Sequence, residues 1–340
     1  MSGGAFKASM AGRTRSEAGM TREADTPPLA IGDIREAAAR IAPYVRVTPV
    51  LASAALDERA GAYLHFKCEH LQHGGAFKYR GASHAVWSLD DGTAARGVVT
   101  HSSGNHGRAL ALAAAARGIP AHVVIPEGAV QTKLAAIEAA GAHVVRCAPT
   151  QEAREAQTER VRTRTGARLV HPYADTRVIA GQGTVALELL RAVPALDLLV
   201  VPVGGGGLAA GCAVAAAGWR PGLRVIGIEP AGADDTARSL KAGRRITEGR
   251  PDTLCDGLRA TVGAPNLALM QRHGVEVLTV TDAQTVEAMR LLWSELRQVV
   301  EPSSAVVLAA VLAYPERFAG CKVGLVLTGG NVDLDALPFN

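Results

Sequence analysis

The sequence predicts an α/β protein built on parallel sheets, and three observations carry that expectation. Short β-branched runs alternate with helix-forming stretches through most of the 340 residues. Runs such as Leu198–Val203 are apolar at every position, as strands covered by helices on both faces must be. Polar or glycine-rich text follows several strands, at the carboxyl ends where parallel sheets open their ligand crevices.

Taken in order, Asp33 caps a helix that runs through Ala42, Tyr63–Cys68 alternates as a strand does, and Tyr79–Leu89 reads as a helix. A strand at Gly97–Thr100, a helix at Asn105–Arg117, a strand at Ala121–Ile125, a helix at Lys133–Ala140 and a strand at His143–Cys147 make a βαβαβ unit with short loops. The second half repeats the style. Helix Gln182–Arg191, strand Leu198–Val203, helix Leu208–Ala217 and strand Arg224–Ile228 are followed by helices Ala283–Leu296 and Ser304–Leu312 and strand Lys322–Leu327. Length predicts one large or two medium domains.

Composition removes other classes. With 48% hydrophobic residues and 37 glycines that follow no three-residue period, the chain is neither disordered nor collagen-like. A net charge of +4 with acids and bases interspersed gives no footprint for nucleic acid. Five scattered cysteines form no C-x-x-C, which points to a reducing, cytoplasmic compartment. Residues 1–30 lack a continuous apolar run and read as a disordered extension. Leu198–Trp219 carries no charge and is long enough to cross a bilayer, but Pro202 and Gly204–Gly207 would leave backbone groups unpaired in lipid, so no membrane is expected.

Four stretches carry chemistry. Gly204–Gly207, between a strand and a helix, sets backbone N–H groups beside a helix N-terminus and so favours a phosphate. Gly205, Gly207 and Ala210 also fit G-x-G-x-x-A, with Glu229 at the end of the next strand, which keeps a dinucleotide such as NAD as a competing ligand. Among six lysines, Lys78 alone sits in a glycine-flanked entry to a helix, where an amine can be held rigidly for a Schiff base. The other lysines have bland settings, and Lys7, whose surroundings copy those of Lys78, lies in the tail. Ser102, Ser103, Asn105 and His106 crowd one helix start, more side-chain donors than a cap needs, which favours a carboxylate ligand.

Together Gly75-Ala76-Phe77-Lys78-Tyr79-Arg80-Gly81-Ala82, Ser102–Gly107, Gly204–Gly207 and Thr328–Leu334 resemble the fold-type II pyridoxal-phosphate enzymes, most closely the serine/threonine dehydratase and serine racemase branch. The resemblance runs from about Asp33 to Leu334. It implies two three-layer, parallel-sheet domains of the tryptophan synthase β-like kind with the active site between them. Residues 31–96 and 175–340 would form the large cofactor-binding domain, and 97–174 a small mobile one.

Position by position, the resemblance makes Lys78 the Schiff-base lysine with Phe77 beside it, and Gly204, Gly205, Gly206 and Gly207 the phosphate cradle. Asn105 would meet the pyridine 3-hydroxyl and Thr328 the ring nitrogen; Ser102, Ser103, Asn105 and His106 would surround the substrate carboxylate. Arg154 would swing toward the substrate on closure. Glu229, Ala233 and Asp235 match positions that bind a divalent cation, and their oxygen donors suit Mg²⁺, Ca²⁺ or Mn²⁺. Ala76 and Thr328 replace the serines usual in the branch.

The implied reaction is β-elimination of L-serine or L-threonine to a 2-oxo acid and ammonia by a homodimer. Ser103, opposite the lysine, opens serine racemisation, and 3-hydroxyaspartate remains an alternative substrate. Because the sequence stops soon after the Thr328 motif, no inhibition by isoleucine is expected.

Overall fold

The computed structural model of the chain describes Met1 and residues 29–339, so the extension expected at residues 1–30, Lys7 included, lies almost wholly outside the described residues. In chain order the strands are β1 (Val50–Leu51), β2 (Tyr63–Cys68), β3 (Val98–His101), β4 (Ala121–Pro126), β5 (His143–Cys147), β6 (Arg168–Leu169), β7 (Leu198–Pro202), β8 (Arg224–Pro230), β9 (Glu276–Val280) and β10 (Lys322–Leu327). They form a six-stranded sheet, β1-β2-β10-β7-β8-β9, and a four-stranded sheet, β5-β4-β3-β6. Every pairing is parallel except that of β1 with β2. The link between those two strands, through the short helix Ala54–Ala60, is too brief for a crossover, so the edge strand folds back.

Helices cover both faces of the larger sheet. Leu199 and Val201 of β7 face one core with Ile179, Leu189 and Ala213, whereas Leu198 and Val200 face the other with Leu292, Val307 and Leu308. This is the two-residue alternation of a strand buried on both sides, and each such side chain contributes roughly 1.5–3 kcal/mol on burial.

Most expected elements form within a residue or two of their expected bounds. The first helix is Ile31–Ile41, so Asp33 lies inside its first turn and reaches back to accept the Ala30 N–H at 2.7 Å, a reciprocal version of the cap expected of it. Helix Gln151–Thr165 was not legible, because it buries only Thr158 and Val161 and so has no apolar stripe. Its ends are chemically marked nonetheless: Thr150 Oγ1 accepts the Ala153 N–H at 3.1 Å, and Gly166 closes it in the left-handed conformation at φ 70°. Gln182–Arg191 is the last part of a longer helix, Thr176–Ala192.

Close backbone approach sets the helix Lys78–Trp87 in place. A Cβ on Gly181 would fall 2.6 Å from the Gly81 Cα, so the two helices touch through glycine. Directly before Gly81, Arg80, fully buried, donates to Glu69 at 2.7 and 2.8 Å and to Glu188 at 2.6 and 2.8 Å. Lys67 joins the same network through Glu188 at 2.6 Å and the Thr48 carbonyl at 2.7 Å. Its setting is therefore not bland: the end of β2 is covered on both faces, and the amine is buried with a partner.

Candidate active site

Two loops far apart in sequence bring Lys78 to its place. The Phe77 N–H donates to the Thr328 carbonyl at 3.0 Å, the Gly330 N–H to the Gly75 carbonyl at 3.0 Å, and Asn331 Nδ2 to the Gly74 carbonyl at 2.9 Å. Gly74 and Gly75 adopt φ of 70° and 72°, which lets the chain turn sharply into the helix. Lys78 Nζ then lies 5.1 Å from the centre of the Phe77 ring and donates to the Pro172 carbonyl at 3.0 Å. Protein around the amine strips it of water and lowers its pKa from the usual 10.5 to about 8, with Glu301 opposing the shift. A sizeable neutral fraction near pH 8 is what a nucleophilic amine requires.

Gly204–Gly207 lies where β7 gives way to the helix Gly207–Trp219. Among the described residues none of these four backbone N–H groups has a hydrogen-bond partner, so a row of donors stands open at a helix N-terminus. Side chains are excluded there by contact. A Cβ on Gly205 would sit 2.3 Å from Tyr173 Cγ, one on Gly204 would sit 2.9 Å from Leu258 Cα, and Gly206 takes φ 85°. Asn266 Nδ2 ties the loop to Tyr173, donating to the carbonyls of Tyr173 at 2.9 Å and Gly205 at 2.5 Å. Lysine amine, open amide row and buried Thr328 hydroxyl are what an aldehyde-bearing aromatic phosphate needs, so the residues present fit pyridoxal phosphate.

At the start of the helix Asn105–Arg117 the N-cap is Gly104, and no side chain caps the helix. Ser102 Oγ accepts only the Gly104 N–H, at 3.4 Å, so the Ser102 and Ser103 hydroxyls are not consumed by capping. His106 is 3% exposed, and neither ring nitrogen has a hydrogen-bond partner among the described residues. Burial, with Lys78 next in effect, holds it well below the usual histidine range. Arg154 projects from Gln151–Thr165 with its Nε buried and likewise unpartnered.

Asn105 is held more firmly than the sequence suggested. Its Nδ2 donates to both Glu301 carboxylate oxygens, at 3.0 and 3.2 Å, while its Oδ1 accepts from Asn331 Nδ2 at 2.8 Å. Arg108 completes the chain by donating to Asn331 Oδ1 at 3.1 Å. Glu301 is 4% exposed, and burial first, then Asp256, raises its carboxyl to about 7. Thr328 Oγ1 is 3.0 Å from Ser304 Oγ, which also accepts the Gly329 N–H at 2.7 Å. Sequence reasoning missed Glu301, Ser304 and Asn331, although Asn331 belongs to a stretch it had singled out. A cavity of about 160 Å³ lined by Asn105, Arg108, Lys133 and Asn331 opens beside this network. A larger one, about 500 Å³, lies away from Lys78 over the Lys67–Glu188 ion pair and has no part in the site.

Glu229, near the end of β8, lies close in the chain to Ala233 and Asp235, which follow the strand. Glu229 is fully buried and accepts the N–H groups of Thr236 at 3.0 Å and Ala237 at 2.9 Å; Asp235 accepts the Val262 N–H at 2.8 Å. Burial chiefly, with Asp235 adding, raises Glu229 to about 8. Neither acid has an ion-pair partner among the described residues, a shortage of positive charge that a divalent cation would fit. No cluster of three or more His, Cys, Asp or Glu gathers among the described residues, so carbonyl and water oxygens would have to complete the shell. With its carboxylate buried against helix amides, Glu229 cannot serve a ribose hydroxyl, and the dinucleotide reading loses its acid.

Comparison with known proteins agrees with this geometry. The family described as "Pyridoxal-phosphate dependent enzyme" matches residues 41–329. A β-hydroxyaspartate dehydratase of Paracoccus denitrificans is 48% identical over 308 residues, covering 91% of this chain and 98% of its own. A serine racemase of Oryza sativa is 46% identical, covering 90% and 92%. The solved structure of maize serine racemase superposes with a TM-score of 0.88 at 45% identity, covering 91% of this chain and 95% of that one. The lysine-bearing turn, the open glycine loop and this extent of similarity lead to one conclusion: the chain belongs to the pyridoxal-phosphate dependent enzymes.

Proposed function

We propose that the protein eliminates the β-hydroxyl of a small L-amino acid, serine or threonine in the first instance, giving a 2-oxo acid and ammonia, with serine racemisation as a companion activity. The observation that carries this reading is the set of contacts that links the three stretches: Lys78 Nζ donates to the Pro172 carbonyl, the adjoining Tyr173 packs on Gly205, and Asn331 bonds both Asn105 and the Gly74 carbonyl of the lysine-bearing turn. Bound there, pyridoxal phosphate supplies an electron sink for charge developing at the substrate α-carbon. Phe77 flanks the lysine, Asn105 and Thr328 orient the ring, and Ser102, Ser103 and Asn105 bind the substrate carboxylate with His106 behind them. Lys78 Nζ takes the α-proton, a task suited to an amine with pKa about 8.

Ser103 handles a proton on the face opposite Lys78. Ser103→Ala is expected to lower racemisation by about 100-fold or more and to reduce elimination from the L-isomer far less than a Lys78 variant does. Chiral chromatography and 2-oxo acid assays over the isomers of serine, threonine and hydroxyaspartate check both halves. Elimination lost as completely as in a Lys78 variant would overturn the division of roles.

In the same reading, residues 97–174, which hold the four-stranded sheet, move against 31–96 and 175–340, and Arg154 travels with them. Contacts that would break on opening support this, among them Asn105 with Glu301 and Lys133 with Asp256. Exposed Val47, Leu71 and Val299 support a homodimer, and free thiols at all five cysteines support a cytoplasmic setting. No helix of the described residues is long and apolar enough to cross a membrane.

Glu229, Asp235 and the Ala233 carbonyl would hold a divalent cation, Mg²⁺, Ca²⁺ or Mn²⁺. Glu229 has a folded-state pKa near 8 against an ordinary 4.5, so its protonation favours the fold at low pH, and that contribution is lost as pH rises through 8. A cation replaces the proton, and the rise in Tm on adding Mg²⁺ should therefore be larger at pH 8 than at pH 6. Glu229→Gln should remove it. A rise independent of pH, or one that survives in the variant, would place the cation elsewhere.

A further inference from the structure

His171 is a polar group of this cleft that the reaction above leaves unused. It stands next to Pro172, whose carbonyl receives the Lys78 amine. Its Nδ1 accepts the Ala174 N–H at 3.0 Å and the Tyr173 N–H at 3.4 Å, so these bonds assign the ring proton to Nε2. Nε2 has no partner among the described residues, and it is not sealed from solvent as the orphaned His106 nitrogens are. The ring is fixed edge-on between His101 and Tyr173, with centroids 5.5 and 4.6 Å away. Burial, then His101 and Lys78, lower its pKa to about 4, so at neutral pH it is an uncharged imidazole with a single aimed donor.

Its surroundings are dominated by nitrogen groups, with the Glu155 carboxylate as the one acid that acts on it. Lys78 and His101 both act on His171 and outweigh Glu155, and Arg154, which acts on His101, has its Nε buried without a partner. The group that complements such a set bears negative charge and only accepts hydrogen bonds, which describes a carboxylate. The substrate's α-carboxylate is already assigned to the start of Asn105–Arg117. A second carboxylate therefore has to sit on the β-carbon, where serine carries hydrogen and threonine a methyl group.

Resting on the β-elimination reading, we propose that His171 is the specificity-determining residue of the site: its Nε2–H receives a carboxylate on the substrate β-carbon, and β-hydroxy dicarboxylic amino acids of the hydroxyaspartate class are preferred over serine and threonine. His101 acts through His171, holding the ring edge-on.

Two variants separate the donor from the turn it caps. Asparagine places its amide oxygen near the Nδ1 position and preserves the bonds from residues 173 and 174 while losing the Nε2 donor; glutamine places an N–H near Nε2. In the holoenzyme, His171→Asn should lower kcat/KM for 3-hydroxyaspartate at least tenfold more than for serine, mainly through KM, and His171→Gln should recover most of that loss. Calorimetry gives a readout without turnover. Malate, a dicarboxylate without an amine, should bind at least tenfold more weakly to the Asn variant, whereas lactate, its monocarboxylate counterpart, should change less than threefold. Equal losses for malate and lactate, or no loss for either, would overturn the proposal. Should the wild-type enzyme eliminate none of the hydroxy amino acids yet show the malate difference, the His171 subsite stands and the elimination reading falls. Elimination without the malate difference does the reverse.

Discussion

Lys78→Ala should abolish turnover, with a loss of about 10⁴-fold or more, the scale seen when a covalent nucleophile is removed from an otherwise intact site. The expectation rests on position as well as residue type. Phe77 N–H and Gly330 N–H lock the lysine-bearing turn to the Thr328–Gly330 turn, and Lys78 Nζ is aimed at the Pro172 carbonyl, so no second amine can substitute. Lys67, the nearest alternative in sequence, is committed to Glu188 and Thr48 inside the protein. Borohydride treatment of the wild-type holoenzyme should fix the cofactor mass on the peptide containing Lys78. The variant should retain cofactor through the glycine loop alone and release it on denaturation. Because only a neutral amine attacks an aldehyde, the rate of cofactor capture should rise with pH, about tenfold per unit, and level off above about 8. A rate that climbs toward the ordinary lysine value, or borohydride labelling that survives in Lys78→Ala, would show that another group carries the chemistry.

Gly205→Ala should weaken cofactor binding by roughly 5–150-fold, the equivalent of about 1–3 kcal/mol of overpacking. The added methyl would meet the root of the Tyr173 ring at 2.3 Å, and Asn266 ties both backbones together, so the clash cannot be relieved by rotating a side-chain tip. Relief must come from shifting the loop whose N–H groups are to receive the phosphate. The measurement is the increase in Tm with cofactor concentration: the curve should move to higher concentration, beyond any loss of stability in the cofactor-free protein. An unchanged curve would mean that the loop is not the phosphate site.

Both predictions begin with residues that single themselves out in the sequence, because their chemistry is local. A glycine quartet between strand and helix, a glycine-flanked lysine and a crowded helix start announce themselves by spacing alone, and the alternating apolar runs announce the parallel sheets. Elements without a local signature were lost. Gln151–Thr165 has no apolar stripe, and the antiparallel β1 is only two residues long. Arg154, which rides on the first of these, could be placed only through resemblance.

What the sequence by itself determined is the α/β class, the family and the candidates for the lysine and phosphate loop, since each depends on residues adjacent in the chain. The tertiary structure alone decided how those residues are tuned. It set Glu301 against Asn105, Ser304 against Thr328 and Tyr173 over Gly205, and it tied His171 Nδ1 to the Ala174 N–H. It also revealed that Lys67 is buried and that the Glu229 carboxyl is raised to about 8. Burial and long-range hydrogen bonds depend on which segments meet in space, and a pKa depends on how much water those meetings exclude. Neither quantity can be read from the order of residues along the chain.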